Sequence, residues 1–384
     1  MAADESGNNP LQQLSELGQS PWIDYMRRKF VVGGELQAMV DNDGLKGMTS
    51  NPAIFEKAIG GSDDYDDDIR RLAPSARNAK DLYEQLAVKD IQDAADILRP
   101  VYERANRQDG CVSLEVAPGL AHDTEATLEE ARRLWQTVDR PNLMVKIPAT
   151  DAGVPAIQQA ISEGINVNVT LLFSQDAYRE VAEAYVSGLE RRAEAGGELS
   201  HVASVASFFI SRIDVAVDAL LEEAGKKVDN DELREKINGL VGKIAIANAK
   251  VTYQAYQEIF SSERWQKLAA KGARPQRLLW ASTGTKNPAY SDVLYVEELV
   301  GKDTVNTMPP ATWDAFRDHG KVRDALNENV DEARQQLETL AELGVVLNDA
   351  TTKLLVDAVR LFVEPFDKML KTVEEAMHEK SQAA

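Results

Sequence analysis

The chain has 384 residues, of which 43% are hydrophobic and 28% charged, an ordinary globular composition long enough to bury a large core. Its 43 basic and 63 acidic residues give a net charge of −20, the wrong sign for long-range attraction to nucleic acid or to an anionic membrane surface. The single cysteine, Cys111, excludes an intrachain disulfide and a cysteine-based zinc cluster.

The opening stretch "MAADESGNNPLQQLSELGQ" has neither a basic start nor an apolar run, so it does not read as a secretory signal. Residues 1–10 are small and polar and read as a flexible terminus. Nothing that follows has the length and apolarity of a membrane span, and the expectation is a cytoplasmic protein. Homo-oligomerisation is left open.

Beyond the terminus, short apolar runs alternate with helical patterns. The runs are "PWIDYM" (21–26), "LKGMTSN" (45–51), "CVSLEV" (111–116), "LMVKIP" (143–148), "NVNVTLL" (166–172), "HVASVASFF" (201–209), "RLLWAST" (277–283) and "TVNTMP" (304–309). Between them lie stretches of 3.6-residue periodicity. Leu82, Leu86, Ile91, Ala95 and Leu98 form one stripe; Leu128, Ala131, Leu134 and Trp135 form another, with Thr124 expected as its N-cap. Regular strand–helix alternation implies βαβ units and a parallel sheet. Eight units fit a closed (β/α)8 barrel, the TIM barrel, which can grow well past 200 residues by insertion. An open doubly wound sheet is the alternative; it would be favoured by a glycine-rich phosphate fingerprint after the first strand, and none is present. Residues 11–384 are therefore read as one barrel domain with a polar helical insertion near 226–240. Residues 320–384 hold about two further amphipathic helices. Val356, Val359, Phe362, Val363 and Phe366 mark an apolar stripe there, and Pro365 within it predicts a kink or a break.

Alternation within each strand sorts the side chains. Leu143, Val145 and Ile147 share one face of the fourth run, while Met144, Lys146 and Pro148 share the other. In the same way Asp24 lies opposite Ile23 and Tyr25; Glu115 opposite Leu114 and Val116; Asn168 and Thr170 opposite Val167, Val169 and Leu171. Thr49 pairs in direction with Asn51, and Ser207 with Phe209. In a parallel strand covered by helices the apolar face is the outer one, so the polar members point inward. Most stand late in their strands, near the C-terminal mouth where barrel enzymes carry their sites. Each residue has a plainer reading: a snorkelling lysine, an acid that caps a helix, a turn at Asn51–Pro52, polar filling at Asn168 and Thr170. Recurrence of the pattern on several strands argues otherwise, because burying polar groups is costly. A desolvated lysine becomes an amine nucleophile that can form a Schiff base, with neighbouring carboxylates moving protons. Arg212, at the start of "SRIDVAVDALLEEAG", and Lys286, in "STGTKNP", could hold a phosphate, or Arg212 could pair with an acid of its own helix such as Asp218. The four histidines show no metal-ligand spacing.

Taken in order, "GMTSNPAIF", "VSLEVAPGLAHDTEAT", "LMVKIPAT", "GINVNVTLLFS", "ASFFISRID" and "WASTGTKNPAYSDVLYVEEL" resemble the motifs of transaldolases in their longer bacterial form. The resemblance runs from "SPWIDYMRRKF" to the C-terminal helix. It implies a class I aldolase barrel that moves a dihydroxyacetone unit between sugar phosphates in the non-oxidative pentose phosphate pathway, with no cofactor and no metal. The donors would be fructose 6-phosphate or sedoheptulose 7-phosphate; the acceptors erythrose 4-phosphate or glyceraldehyde 3-phosphate. It implies Lys146 as the Schiff-base lysine and Asp24 as the acid/base on the C4 hydroxyl. Glu115 with Thr170 would manage the reacting water. Asn51, Asn168 and Ser207, beside Phe209, would hold substrate hydroxyls, and Arg212 the phosphate. Many shorter relatives carry a second arginine after the seventh strand, where this chain has Lys286, a point charge without a bidentate fork. A Schiff-base aldolase that cleaves without transfer, and a non-catalytic sugar-phosphate-binding barrel, are the competing readings. A C-terminal helix over the mouth, around Phe362–Phe366, would limit water.

Overall fold

The computed structural model describes residues 9–381. Among them eight parallel strands close into a barrel: β1 (Gln19–Asp24), β2 (Gly47–Thr49), β3 (Cys111–Glu115), β4 (Leu143–Pro148), β5 (Val167–Leu172), β6 (Ser204–Phe209), β7 (Arg277–Ala281) and β8 (Thr304–Met308). Closure is made by β1 pairing with β8 from Gln19↔Thr304 to Ile23↔Met308, which removes both edges of an open sheet.

The two faces of the strands sort as the alternation predicts. Ile23, Val112, Leu114, Val145, Ile147, Val167, Val169, Phe208 and Trp280 are buried beneath the outer helices. Each such side chain is worth roughly 1.5–3 kcal/mol relative to exposure. Leu82, Leu86, Ile91, Ala95 and Leu98, on the helix Ala79–Arg104, are buried too. The lower end of the barrel is plugged. Asp109 forms a buried ion pair with Arg277 at 2.9 Å and accepts hydrogen bonds from Ser20 Oγ (2.8 Å) and Trp22 Nε1 (3.3 Å). Gly47 makes room for the Trp22 ring, since a Cβ there would stand 2.4 Å from it.

One irregularity bears on the site. The step from Val169 to Leu172 in β5 matches the step from Ala206 to Phe208 in β6, so β5 carries one extra residue. Leu171 takes up this bulge at φ +63°, a costly conformation for a bulky side chain. The bulge adjoins Thr170.

Elsewhere the structure departs from the sequence reading in detail. Of the ten residues read as a flexible terminus, 1–8 lie outside the described residues, and Asn9 Oδ1 caps the helix Pro10–Glu16 by accepting from Gln12 N. Asp123, not Thr124, caps Thr124–Val138; its carboxylate accepts from Ala126 N, while Thr124 Oγ1 donates to Ala152 O. Residues 226–240 divide between the end of the helix Ser211–Lys226 and a separate helix, Asp231–Leu240, capped by Asn230. The tail forms the helices Val330–Glu342 and Leu347–Ser381, and the second runs through Pro365 without a break. Proline there removes one N–H and leaves the carbonyl of Leu361 unmatched, but Leu361 is on the exposed side, where water can meet it. Val356 is also exposed, so the buried stripe of this helix is Val359, Phe362, Phe366, Met369 and Val373.

Candidate active site

The β3–β4–β5 register sets Glu115 beside Lys146 and Lys146 beside Asn168. Lys146 is only 4% exposed. Its Nζ donates to Ser50 O at 3.0 Å and lies 3.1 Å from Glu115 Oε2. That approach is close enough for an ion pair but poorly aligned for a hydrogen bond, so Glu115 Oε2 has no hydrogen-bond partner. Thr170 Oγ1, at the bulge, is likewise buried without one. Each oxygen is left with capacity to hydrogen-bond a small polar ligand.

Asp24 ends β1. It accepts from Thr49 Oγ1 at 2.6 Å, and Thr49 Oγ1 in turn lies 2.8 Å from Thr307 Oγ1. With the Thr49 proton directed at Asp24, Thr307 is the donor of the second bond. Burial pushes the Asp24 carboxyl above its ordinary value; the charge of Lys146, the bond from Thr49 and the charge of Lys286 pull it back. Burial raises Glu115 too. The Lys146 charge opposes that shift, and the Asp24 charge adds to it. Two carboxyl groups thus share one lysine, an arrangement that pushes acid/base groups toward working pH values.

Asn51 Oδ1 accepts from Ile54 N at 3.0 Å and caps the helix Pro52–Gly60. The residue is therefore a helix start as well as part of the cavity wall, and the cap fixes its orientation. Arg212 is the second residue of Ser211–Lys226, its guanidinium 5.7 Å from the Phe209 ring centroid. Among the described residues it pairs with no acid. Asp218, the alternative partner, instead accepts from Gly242 N (2.9 Å) and Tyr290 Oη (2.6 Å). Asp214 accepts from Ala245 N and Tyr295 Oη, both at 2.8 Å. The acids facing inward from this helix are thus committed elsewhere. Burial lowers the Arg212 pKa.

One cavity of about 180 Å³ is lined by Asp24, Asn51, Lys146, Thr170, Ser207, Phe209, Arg212 and Lys286. Glu115 reaches it through Lys146. Asn168 does not line it. Both polar ends of that amide are engaged, Oδ1 accepting from Ser207 Oγ at 2.6 Å and Nδ2 donating to Ser113 Oγ at 2.9 Å. Four further residues belong to the site. Thr49 orients Asp24, Thr307 orients Thr49, Ser50 O anchors Lys146, and Phe362 enters from the C-terminal helix. Strand parity reads Thr49 inward, the helix around Phe362–Phe366 is expected over the mouth, and both line the cavity. Thr307 alternates with apolar neighbours and was discoverable in the same way, while a backbone carbonyl such as Ser50 O leaves no such signal. Among the described residues no three His, Cys, Asp or Glu side chains are grouped to hold a metal ion.

Comparison with known proteins agrees with this geometry. The family model for transaldolase/fructose-6-phosphate aldolase matches residues 21–373. The chain is 48% identical to a transaldolase of Trichodesmium erythraeum over 369 residues, 96% of this chain and 97% of that protein. It is 51% identical to transaldolase 2 of Nostoc punctiforme over 370 residues, again 96% and 97%. It is 47% identical to a transaldolase of Thermobifida fusca over 370 residues, 96% and 98%. A buried lysine flanked by two carboxyls at the mouth of a closed eight-stranded barrel, matched over nearly its whole length, belongs to an enzyme of the transaldolase/fructose-6-phosphate aldolase family.

Proposed function

We propose that this enzyme transfers a dihydroxyacetone unit from a ketose phosphate to an aldose phosphate, with Lys146 as its covalent carrier. The observation that carries the reading is the buried contact of 3.1 Å between Lys146 Nζ and Glu115 Oε2, with Asp24 lining the same cavity. The amine attacks the C2 carbonyl of the donor, and loss of water leaves a protonated Schiff base. Glu115 and Thr170, each with a buried unsatisfied oxygen, handle that water and its proton. The cationic nitrogen then draws electrons from the C3–C4 bond, and Asp24 takes the C4 hydroxyl proton. The new aldehyde leaves. An acceptor aldehyde enters, C3 attacks its carbon, and Asp24 returns the proton to its oxygen; water then adds at C2 of the new imine, the C2–N bond breaks, and the ketose phosphate leaves with Lys146 restored as the amine.

Arg212 and Lys286 hold the substrate phosphate; Asn51 and Ser207 hold hydroxyls. Asn168 acts by fixing Ser207, the role its two engaged ends support. The donor pair is fructose 6-phosphate or sedoheptulose 7-phosphate, with glyceraldehyde 3-phosphate or erythrose 4-phosphate as acceptor. We further propose one catalytic domain and a cytoplasmic setting. No helix among the described residues is long and apolar enough to cross a membrane. Burial pushes the Cys111 thiol up to about 12, which leaves it unreactive.

The test is product analysis with fructose 6-phosphate, with and without erythrose 4-phosphate. Transfer predicts sedoheptulose 7-phosphate only with acceptor and little free dihydroxyacetone. Free dihydroxyacetone formed equally fast without acceptor would mean a cleaving aldolase instead.

A further inference from the structure

Phe362 is the one cavity-lining side chain contributed by the C-terminal helix Leu347–Ser381. Its ring centroid lies 5.8 Å from Lys146 Nζ, and the residue is 5% exposed. That places an apolar face over the amine that forms the covalent adduct, at cation–π range.

The helix that carries Phe362 is fastened to the helix that Asn51 caps, Pro52–Gly60. The Phe366 ring stands edge-on to Tyr83 at 5.7 Å, and Tyr83 stands edge-on to Phe55 at 5.7 Å. Lys368 pairs with Glu56. The Thr372 methyl sits 3.5 Å from where a Cβ on Gly60 would be. Phe55, Glu56 and Gly60 all belong to the Asn51-capped helix, so Phe362 and Asn51 are held by one packed unit.

We propose that Phe362 is a positioning residue that shields the Lys146 adduct and sets how often the three-carbon unit is transferred rather than lost. The inference rests on the Schiff-base reading above. After C3–C4 cleavage the bonding pair resides in the enamine and the C4 hydroxyl proton is on Asp24. In the productive fate C3 bonds to the acceptor carbon, and the aldehyde oxygen takes that proton. In the wasteful fate C3 takes a proton instead; water adds at C2, the C2–N bond breaks, and free dihydroxyacetone leaves with Lys146 as the amine. Both fates end with water adding at C2 and the C2–N bond breaking; only the wasteful one needs a proton delivered to C3 before an acceptor arrives, and water beside the adduct can deliver it. A phenyl ring offers no hydrogen bond to water, so its bulk over the amine keeps that proton source away from the enamine.

The experiment compares full-length parent, Phe362→Ala and Phe362→Leu, given fructose 6-phosphate and erythrose 4-phosphate. The readout is the ratio of free dihydroxyacetone to sedoheptulose 7-phosphate. Phe362→Ala is expected to raise that ratio by about tenfold, equivalent to roughly 1.4 kcal/mol between the two competing barriers. Phe362→Leu, which keeps apolar bulk without the ring, is expected to raise it less. A folded Phe362→Ala with the parental ratio, both products falling together, would overturn the proposal and leave the ring a packing residue. If the alanine variant does not fold, an unchanged ratio in Phe362→Leu overturns it equally. Borohydride trapping separates the two claims. No trapped adduct in the parent removes the Schiff-base reading itself, whereas an adduct with an unchanged ratio removes only the role of Phe362.

Discussion

Glu115 Oε2 stands 3.1 Å from Lys146 Nζ at paired positions of β3 and β4. Both side chains are almost fully buried. A buried ion pair rarely repays its desolvation, and replacing such a pair by apolar residues often stabilises a protein. Here the pair is also imperfect, since Glu115 Oε2 has no aligned hydrogen bond. Such an arrangement contributes little to stability, which fits the catalytic role proposed for it, and the same logic extends to Asp24.

Asp24→Asn separates the two. Asparagine can still accept from Thr49 but cannot move a proton, so kcat is expected to fall by about 10²–10⁴-fold. Stability should move the other way. The folded carboxyl is raised above the ordinary 3.8, so the native state binds the proton more tightly than the unfolded chain. Stability then falls as pH rises from near 3.8 through the folded value and stays reduced above it. The variant lacks this loss. Its Tm should exceed that of the parent at pH 8, with the gain vanishing near pH 4. An equal Tm difference at both values would argue against a buried, strained carboxylate.

Arg212→Gln and Lys286→Gln test the phosphate assignment. A charge-assisted hydrogen bond is worth about 1.5–3 kcal/mol, so KM for glyceraldehyde 3-phosphate should rise roughly 10–100-fold in the arginine variant. A smaller rise is expected for Lys286→Gln, because a single ammonium makes no bidentate contact. KM for unphosphorylated glyceraldehyde should hardly change in either. A matching loss with both aldehydes would place these cations elsewhere in the mechanism.

Gly47→Ala addresses the barrel wall. The added methyl would meet the Trp22 ring at 2.4 Å, and Trp22 is fully buried and bonded to Asp109. Neither can yield without disturbing the plug, so a destabilisation of about 1–3 kcal/mol is expected in urea unfolding. The kcat of the folded variant should stay near the parental value.

Much of this was legible from the chain alone, and for a local reason. Strand parity is a property of neighbouring residues, so it placed Lys146, Glu115, Asp24 and Thr170 on inner faces without knowledge of their partners. Eight apolar runs sufficed for the barrel because helices alternate with them. Features that depend on distant contacts were not legible. The bulge at Leu171 is defined by the register against β6. The engagement of Asn168 between Ser113 and Ser207 needs three strands at once. The Asp109–Arg277 plug joins residues far apart in sequence. The apolar stripe of the last helix and its place over the mouth around Phe362–Phe366 were visible; the exposure of Val356 and the 5.8 Å reach of Phe362 to Lys146 follow from how that helix packs on Pro52–Gly60.

The most direct measurement is mass spectrometry of the intact enzyme after incubation with fructose 6-phosphate and borohydride, with the modified residue located by peptide mapping. A reduced three- or six-carbon adduct on Lys146, absent in Lys146→Ala, is the predicted result. A folded enzyme that turns over the sugar and yields no adduct on Lys146 would contradict covalent catalysis at this site.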